Sequence, residues 1–410
     1  MKPKLSFLLG SGFSVPDHLP PVAELNERLR KIDESEILIH SSQTAIFLNG
    51  SEDPNRHVHW DDRLFLQRFL EFYTSEVLKG ESNFHYETFY DYYSGYLNAD
   101  ENKEAIEAFY QKFIEENLKD TDHVKNAFNY VSAFNRTFNQ LIAQQLQKRL
   151  YVNDVSYSNY PPYDNFINFL STTLETYDIK VHTLNHDLLF DFLGGKTSLW
   201  QSFADGFDLR GSRYYGEVSM DFNHGNERVY KTYVVKLQRF NNRFDKPLCL
   251  FKLHGSVNNL LVYTPQREYI RLKHDYGVSR FKIETDDGTF ERLHDEVAPD
   301  FLSGTTNKQR SYTRDPYYIN LFKHFETNLT ESEYLIVIGY SFQDPGINYY
   351  VENCFLQQGK KMIVIDVRRP TANILEKHDF TFVKKSIIDV SYDEFLRLLS
   401  IEVPKRTFVY

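Results

Sequence analysis

KLSFLLGSGFS, residues 4–14, decides the reading of this chain. A short apolar run that ends in glycine reads as a strand buried inside a sheet. In the turn that follows, Gly10-Ser11-Gly12-Phe13-Ser14, glycine lets a backbone approach a diphosphate closely, and a helix start beyond it offers free N–H groups to the same ligand. The dinucleotide fingerprint asks for a third glycine three positions after the second, and Val15 stands there. On its own the stretch therefore reads equally as a tight turn.

Four further runs change the balance. Ile179–Leu184 (IKVHTL), Leu248–Leu253 (LCLFKL), Tyr334–Ile338 (YLIVI) and Met362–Val367 (MIVIDV) are rich in Val, Ile and Leu and do not alternate strictly. Strands covered on both faces of a parallel sheet have this pattern. The fold class expected is α/β, a Rossmann-like parallel sheet with helices on both faces. Ligands of such sheets sit beyond the carboxyl ends of the strands. Those ends carry Asn185-His186-Asp187, His254-Gly255-Ser256, Gly339-Tyr340-Ser341-Phe342-Gln343-Asp344-Pro345 and Asp366. A lone His there is more often structural, and a lone Asn or Asp more often a turn former or helix cap. Five such ends together outline a polar pocket along one edge of the sheet.

Between these runs the pattern turns helical. A polar helix is expected from Val22 to about Lys31. Ala105, Ile106, Phe109, Tyr110, Phe113, Ile114 and Leu118 have amphipathic helical spacing, and Val124, Phe128, Val131, Phe134, Phe138, Leu141 and Leu150 repeat it. A packed helical hairpin is expected within a helical layer spanning about 60–150. Residues 211–300 are polar and Tyr-rich, with strand signals such as Arg228–Leu237, and are read as insertions decorating one face. Ser391 and Glu394 form a capping box that opens a final helix, followed by an apolar PKRTFVY end that docks elsewhere. The expected division is 1–20 with 165–390 as the nucleotide-binding unit, 21–164 as a mainly helical insertion, and 391–410 as C-terminal helix and tail.

The 410 residues are 41% hydrophobic and 25% charged, the balance of a globular chain with a sizeable core. Aromatics reach 16%, and core packing explains them better than a base-stacking surface. A net charge of −10 repels a phosphate backbone, so no direct nucleic-acid partner is expected. Two cysteines, Cys249 and Cys354, cannot build a disulfide scaffold or a Cys-rich zinc site. Both are expected to be buried free thiols, in keeping with a reducing cytoplasm. The apolar run near the N-terminus is too short for a signal peptide, and no stretch approaches the ~20 apolar residues that cross a bilayer. His57 and His59 with the scattered other histidines make no convincing ligand set, so no metal is expected.

These motifs carry a family resemblance. Gly10–Ser14 with Pro16 resembles the glycine–Ser loop that opens the sirtuin fold, and Thr183–Asp187 resembles its Thr-x-Asn-x-Asp segment. Lys252–Ser256 resembles the Leu-His-Gly motif around the catalytic histidine. Pro299–Gly304 echoes a later stretch. Val337–Phe342 with Asp344-Pro345 resembles the late Gly-x-Ser loop, and Ile363–Val367 the strand after it. The deacylases of the family carry a four-cysteine zinc module after the catalytic histidine, whereas Val257 to Asp300 contains no cysteine. The chain is more similar to bacterial sirtuin-like effectors of anti-phage defence, which deplete NAD, and resembles the partner of a HerA-type ATPase. The resemblance implies an NAD glycohydrolase without zinc, homo-oligomeric, giving nicotinamide and ADP-ribose. The alternatives are an NAD-dependent deacylase or ADP-ribosyltransferase, or a non-catalytic sensor of NAD or ADP-ribose.

Carried onto this sequence, the resemblance implies that Asn185 orients the ribose and the attacking water, that Asp187 supports the nicotinamide pocket or holds the Asn185 loop, and that His254 is the general base on a ribose hydroxyl or on water. It also implies that Gly10, Ser11, Gly12, Phe13 and Ser14 hold the diphosphate, Gly339 and Ser341 the adenosine side, and Asp366 the adenine ribose.

Overall fold

The computed structural model describes residues 2–39, 45–48, 60–79, 84–118, 125–147, 160–224, 227–263, 269–274, 278–301 and 315–400. His57, His59, Val124, Leu150, the 302–304 end of the Pro299–Gly304 echo and the apolar tail lie outside them.

The chain begins with β1 (Lys4–Leu9), a loop of two short 3₁₀ turns, and α1 (Val22–Arg30). A small antiparallel hairpin follows, β2 (Ile37–Ile39) and β3 (Ala45–Phe47). Its three-residue strands fell inside the stretch expected to be helical and are too short to leave a pattern. Four helices come next: α2 (Trp60–Phe72), α3 (Tyr86–Ala99), α4 (Lys103–Asn117) and α5 (Ala127–Leu146). The helical spacing read from the sequence places α4 and α5 correctly. Their inward stripe is aromatic, with Phe65, Phe69, Phe89, Phe113, Tyr130, Phe134 and Phe138 buried and in ring contact. This packing accounts for much of the aromatic excess.

The chain returns to the sheet through α6 (Asp164–Thr173), β4 (Asp178–Thr183), α7 (Leu189–Lys196) and β5 (Phe203–Ala204). A run of strands follows: β6 (Gly206–Asp208), β7 (Tyr214–His224), β8 (Glu227–Lys236), β9 (Gln238–Arg243), β10 (Leu248–Lys252), β11 (Gly255–Tyr263), β12 (Tyr269–Lys273), β13 (Val278–Glu284), β14 (Phe290–Arg292) and β15 (His294–Phe301). The closing elements are α8 (Pro316–Glu331), β16 (Ser332–Ile338), α9 (Pro345–Cys354), β17 (Lys361–Ile365), α10 (Asn373–Glu376), β18 (Thr381–Val383) and α11 (Tyr392–Leu398).

Seven strands form one parallel sheet in the order β18-β17-β16-β1-β4-β10-β5. Leaving out the two-residue β5 and counting from the centre, the strands run 3-2-1-4-5-6, the Rossmann order. The chain leaves β1 toward β4 and β10, then crosses back to β16 on the other side. This reversal opens a crevice at the carboxyl end of β1.

Both faces of the sheet are covered, as the unbroken apolar runs require. One face buries Leu5, Phe7, Leu9, Ile179, Val181, Ile336 and Ile338 in a core continuous with the helical insertion. The other buries Leu8, Cys249, Phe251, Leu335 and Val337 against α8 and α9. Alternate residues of each strand go to opposite faces. The final helix belongs to the first face: Phe395 of α11 stacks on Phe169 of α6 at 4.6 Å, and Ser391 Oγ caps it by accepting from the Glu394 amide.

The polar 211–300 stretch is more ordered than scattered strand signals suggested. Together with neighbouring strands it forms two antiparallel sheets, β15-β11-β12-β9-β6 and β14-β13-β7-β8. Residues including Tyr214, Leu260, Val262, Leu272 and Phe281 form a small core of their own there. Cys249 is buried as expected, but Cys354 on α9 is only half-buried.

Candidate functional site

Strand register brings the polar residues together. Leu9 stands opposite both Ile338 and Thr183, Thr183 opposite Lys252, and Ile338 opposite Ile365. The five strands thus end at one level. Gly10, Asn185, His254 and Gly339 leave that level side by side, and Asp366 follows one strand further out.

The loops after β1 and β16 lie directly on each other. Gly12 N–H donates to the Gly339 carbonyl at 3.0 Å, and Gly10 N–H to that of Ile338 at 3.0 Å. A Cβ on Gly10 would meet Gly339 O at 2.5 Å, and one on Gly339 would meet the Gly12 carbonyl carbon at 2.4 Å. Gly339 also has φ +61°. These glycines are needed first for loop-to-loop contact. The sequence reading placed them against a diphosphate on free amides. Here the amides of Gly10, Gly12, Phe13 and Ser14 all donate within the protein. Toward the cleft the loop presents Gly10, exposed Ser11 and the buried Ser14. Phe13 is an anchor: its ring is buried against Tyr163, Phe166 and Phe190, and its carbonyl accepts from Tyr163 at 2.6 Å.

Asn185 fastens this loop to the end of β4. Its amide donates to Gly10 O at 2.9 Å and to Ser14 Oγ at 3.0 Å. Ser14 in turn hydrogen-bonds to Asp187, whose Oδ1 accepts from the Leu189 amide at 3.0 Å. Burial pushes the Asp187 carboxyl up from its ordinary value, against the pull of Lys252, the Leu189 amide and Ser14.

Beneath the Asp187 loop runs a buried ionic chain that the sequence did not announce. Lys252 donates to the Asp187 carbonyl and to Asp191 at 2.8 Å. Lys273 of β12 holds the other Asp191 oxygen at 2.6 Å and also pairs with Asp205. Burial alone would raise Asp191, but the two ammonium groups hold its carboxyl well below the usual range. Burial likewise opposes the Lys273 charge, and Asp191 with Asp205 holds it above its ordinary value. Two lysines and two aspartates make the chain neutral as a whole.

His254 follows β10 and is 4% exposed. Its Nε2 lies 3.5 Å from Asp344 Oδ2, and its ring centroid is 6.3 Å from that of His186. Asp344 caps α9: its Oδ1 accepts from Gly346 N at 2.9 Å and Ile347 N at 3.2 Å. Asp344-Pro345 entered the sequence reading only as part of the motif after β16, and neither the cap nor its approach to residue 254 was read there. Phe342, two residues earlier, holds φ +59°, a costly conformation for a bulky side chain, and Asn348 secures it by donating to its carbonyl at 2.8 Å. His182, within β4, has a different character. It is fully buried, stacked on Phe251 and pushed down to about 3, mainly by burial, so it stays neutral.

These residues line a cleft of about 600 Å³. Part of the lining is Gly10, Ser11, Ser14, Asn185, His186, Asp187 and His254, with Gly339, Ser341 and Asp344. The rest of the lining was missed by sequence reasoning: Leu19, Pro20, Val22 and Leu25 with His85, Tyr86 and Glu87 at the start of α3 and Leu146 at the end of α5. Asn26 on α1 fixes the start of α3 by accepting from the Tyr86 amide at 2.9 Å. Gly12, Phe13 and Asp366 are not among the cleft-lining residues. Asp366 instead uses Oδ1 to accept from the Arg368 amide at 3.0 Å. Among the described residues no His, Cys, Asp and Glu cluster suits a metal ion, and no helix is long and apolar enough to cross a membrane.

No family model and no curated protein matches the chain by sequence. Solved structures do. A Sir2 homologue in complex with NAD is 10% identical with a TM-score of 0.36, covering 97% of this chain and 89% of that one. A mutant Sir2 homologue with 2′-O-acetyl ADP-ribose gives 11% and 0.37, over 98% and 94%. A Sir2 enzyme bound to a propionylated peptide gives 9% and 0.35, over 97% and 94%. The fold itself is carried by the strand order and register given above.

Proposed function

We propose that this chain is a sirtuin-like enzyme that binds NAD in the strand-end cleft and cuts its nicotinamide–ribose bond, releasing nicotinamide and ADP-ribose. The observation that carries the reading is the meeting of Asn185, Asp187 and His254 with the Gly10–Ser14 loop in one cleft, from three strand ends far apart in sequence. The fit is chemical as well. A cleft of about 600 Å³ suits a nucleotide, its apolar lining offers Leu19, Leu25, Tyr86 and Leu146 to flat rings, and a few polar groups converge in it.

Bound NAD supplies a cationic leaving group on a ribose carbon that becomes electron-poor as the bond breaks. The chain has to position and exclude rather than form covalent bonds. His254 takes a proton from water or from a ribose hydroxyl, the usual task of a catalytic imidazole. Asn185, held by Gly10 and Ser14, fixes the loop that faces the ribose. Asp187 places a carboxylate toward the cationic ring. Ser11 meets the diphosphate, with Ser14 close by and its hydroxyl engaged by Asn185 and Asp187, and Gly339 and Ser341 meet the adenosine side. Asp366 is retained only for the outer adenine ribose, since it stands apart from the cleft lining.

Around this core the same reading includes a zinc-free, cytoplasmic, homo-oligomeric effector of anti-phage defence working with a HerA-type ATPase. It keeps 1–20 and 165–390 as the NAD-binding unit, 21–164 as the insertion and 391–410 as the final helix and tail. In this reading water, rather than a protein acceptor, is the nucleophile. Turnover in heavy-oxygen water tests this: ADP-ribose should carry the label without any acylated peptide or acceptor protein. Nicotinamide release that requires such an acceptor would point to a deacylase or transferase, and binding without products to a sensor.

A further inference from the structure

We infer that Asp344 is a positioning residue for His254, joining it in a carboxylate–imidazole pair that stabilises the protonated ring. The kinetic side of this inference rests on the proposed NAD cleavage, and the titration side does not. Asp344 is held from behind. Its Oδ1 is occupied by the amides of Gly346 and Ile347, its carbonyl accepts from the Tyr340 hydroxyl at 3.2 Å, and Pro345 fixes the first turn of α9. This leaves Oδ2 directed at His254 Nε2, 3.5 Å away, inside the cleft. A carboxylate fixed that near a ring nitrogen favours the charged imidazolium. It also favours the tautomer that keeps a hydrogen on Nε2.

Among the described residues, the other titratable groups around His254 are placed differently. His186 and Asp187 come from the loop after β4, with the His186 ring centroid at 6.3 Å and the Asp187 Oδ1 accepting from the Leu189 amide. His85 and Glu87 face the cleft from α3. Lys252, two residues before, is turned to the Asp187 carbonyl and Asp191. When His254 takes a proton from water or from a ribose hydroxyl, the ring gains one positive charge and Asp344, still ionised, offsets it; no second proton moves.

The test separates this role from capping. Asparagine and serine cap helices about as well as aspartate, so Asp344→Asn and Asp344→Ser should keep the fold while removing the charge. Histidine-labelled protein is titrated by NMR, with the residue 254 signal assigned by His254→Gln. In both variants the His254 pKa should fall by about one unit. The acid limb of kcat should move to lower pH by the same amount, with KM little changed. An unchanged His254 titration in a folded variant overturns the pair. If wild-type protein does not consume NAD, the cleavage reading fails, and the titration alone still decides the role of Asp344.

Discussion

The side-chain amide of Asn185 donates to the carbonyl of Gly10 at 2.9 Å, and 175 positions of chain separate the two. The same nitrogen lies 3.0 Å from Ser14 Oγ, so a single amide ties the end of β4 to the loop after β1. Asn185→Ala removes both bonds. Stability should fall by about 1–2 kcal/mol, read as a lower urea midpoint. NAD turnover should fall by about 100-fold, because the loop that faces the ribose loses its fixed position.

Gly339 and Gly359 both have positive φ, at +61° and +67°, but their surroundings differ. A Cβ at 359 meets nothing within 4 Å, whereas one at 339 meets the Gly12–Phe13 backbone at 2.4 Å. Gly359→Ala should cost about 1 kcal/mol from conformational strain alone. Gly339→Ala should cost at least about 1 kcal/mol more than that, and it should disturb NAD binding, which Gly359→Ala leaves intact. Denaturation curves of the two variants, with calorimetric NAD titrations, check the difference.

Much of this arrangement was legible in the sequence, for a physical reason. Strands covered on both faces must be apolar throughout, so KLSFLL, LCLFKL and YLIVI stood out, and a parallel sheet collects its strand-end loops at one edge. Such a sheet sets Asn185, Asp187, His254 and Gly339 beside one another. Other features are tertiary and leave no periodicity. The Lys252–Asp191–Lys273–Asp205 chain joins residues from four separate places in the sequence. The approach of Asp344 to His254 depends on how α9 docks. The β2–β3 hairpin is too short to show in an aromatic helical background. The glycine turn was legible as a site of close approach, but its partner in this structure is another backbone.

Asp187 links stability to pH with an unusual sign. Its folded-state pKa is raised by burial, so the folded protein binds more protons than the unfolded chain in the window between the two values. Its contribution to stability therefore weakens as pH rises from the ordinary carboxylate value through the raised one. Asp187→Asn, which can still accept from the Leu189 amide, should stabilise the protein at pH about 7 relative to about 4 while lowering turnover. Urea unfolding at the two pH values reads this, and an equal effect at both would contradict it.

The buried ionic chain is a stability element. Asp191→Ala leaves the Lys252 and Lys273 ammonium groups short of a shared counter-charge and should cost about 3 kcal/mol. Because the Asp191 carboxyl is depressed in the folded protein, its contribution is present above the ordinary carboxylate value and is lost as pH falls toward the depressed one. Thermal unfolding of the wild type and the variant should converge as the pH is lowered.

Nicotinamide release from NAD, followed chromatographically for the wild type, Asn185→Ala and His254→Ala, each shown to be folded by circular dichroism, bears most directly on the strand-end cleft as the place of cleavage. Wild-type protein should release nicotinamide and ADP-ribose in equal amounts, and each variant should lose that release by about 100-fold or more. Folded variants that consume NAD at the wild-type rate would contradict the account.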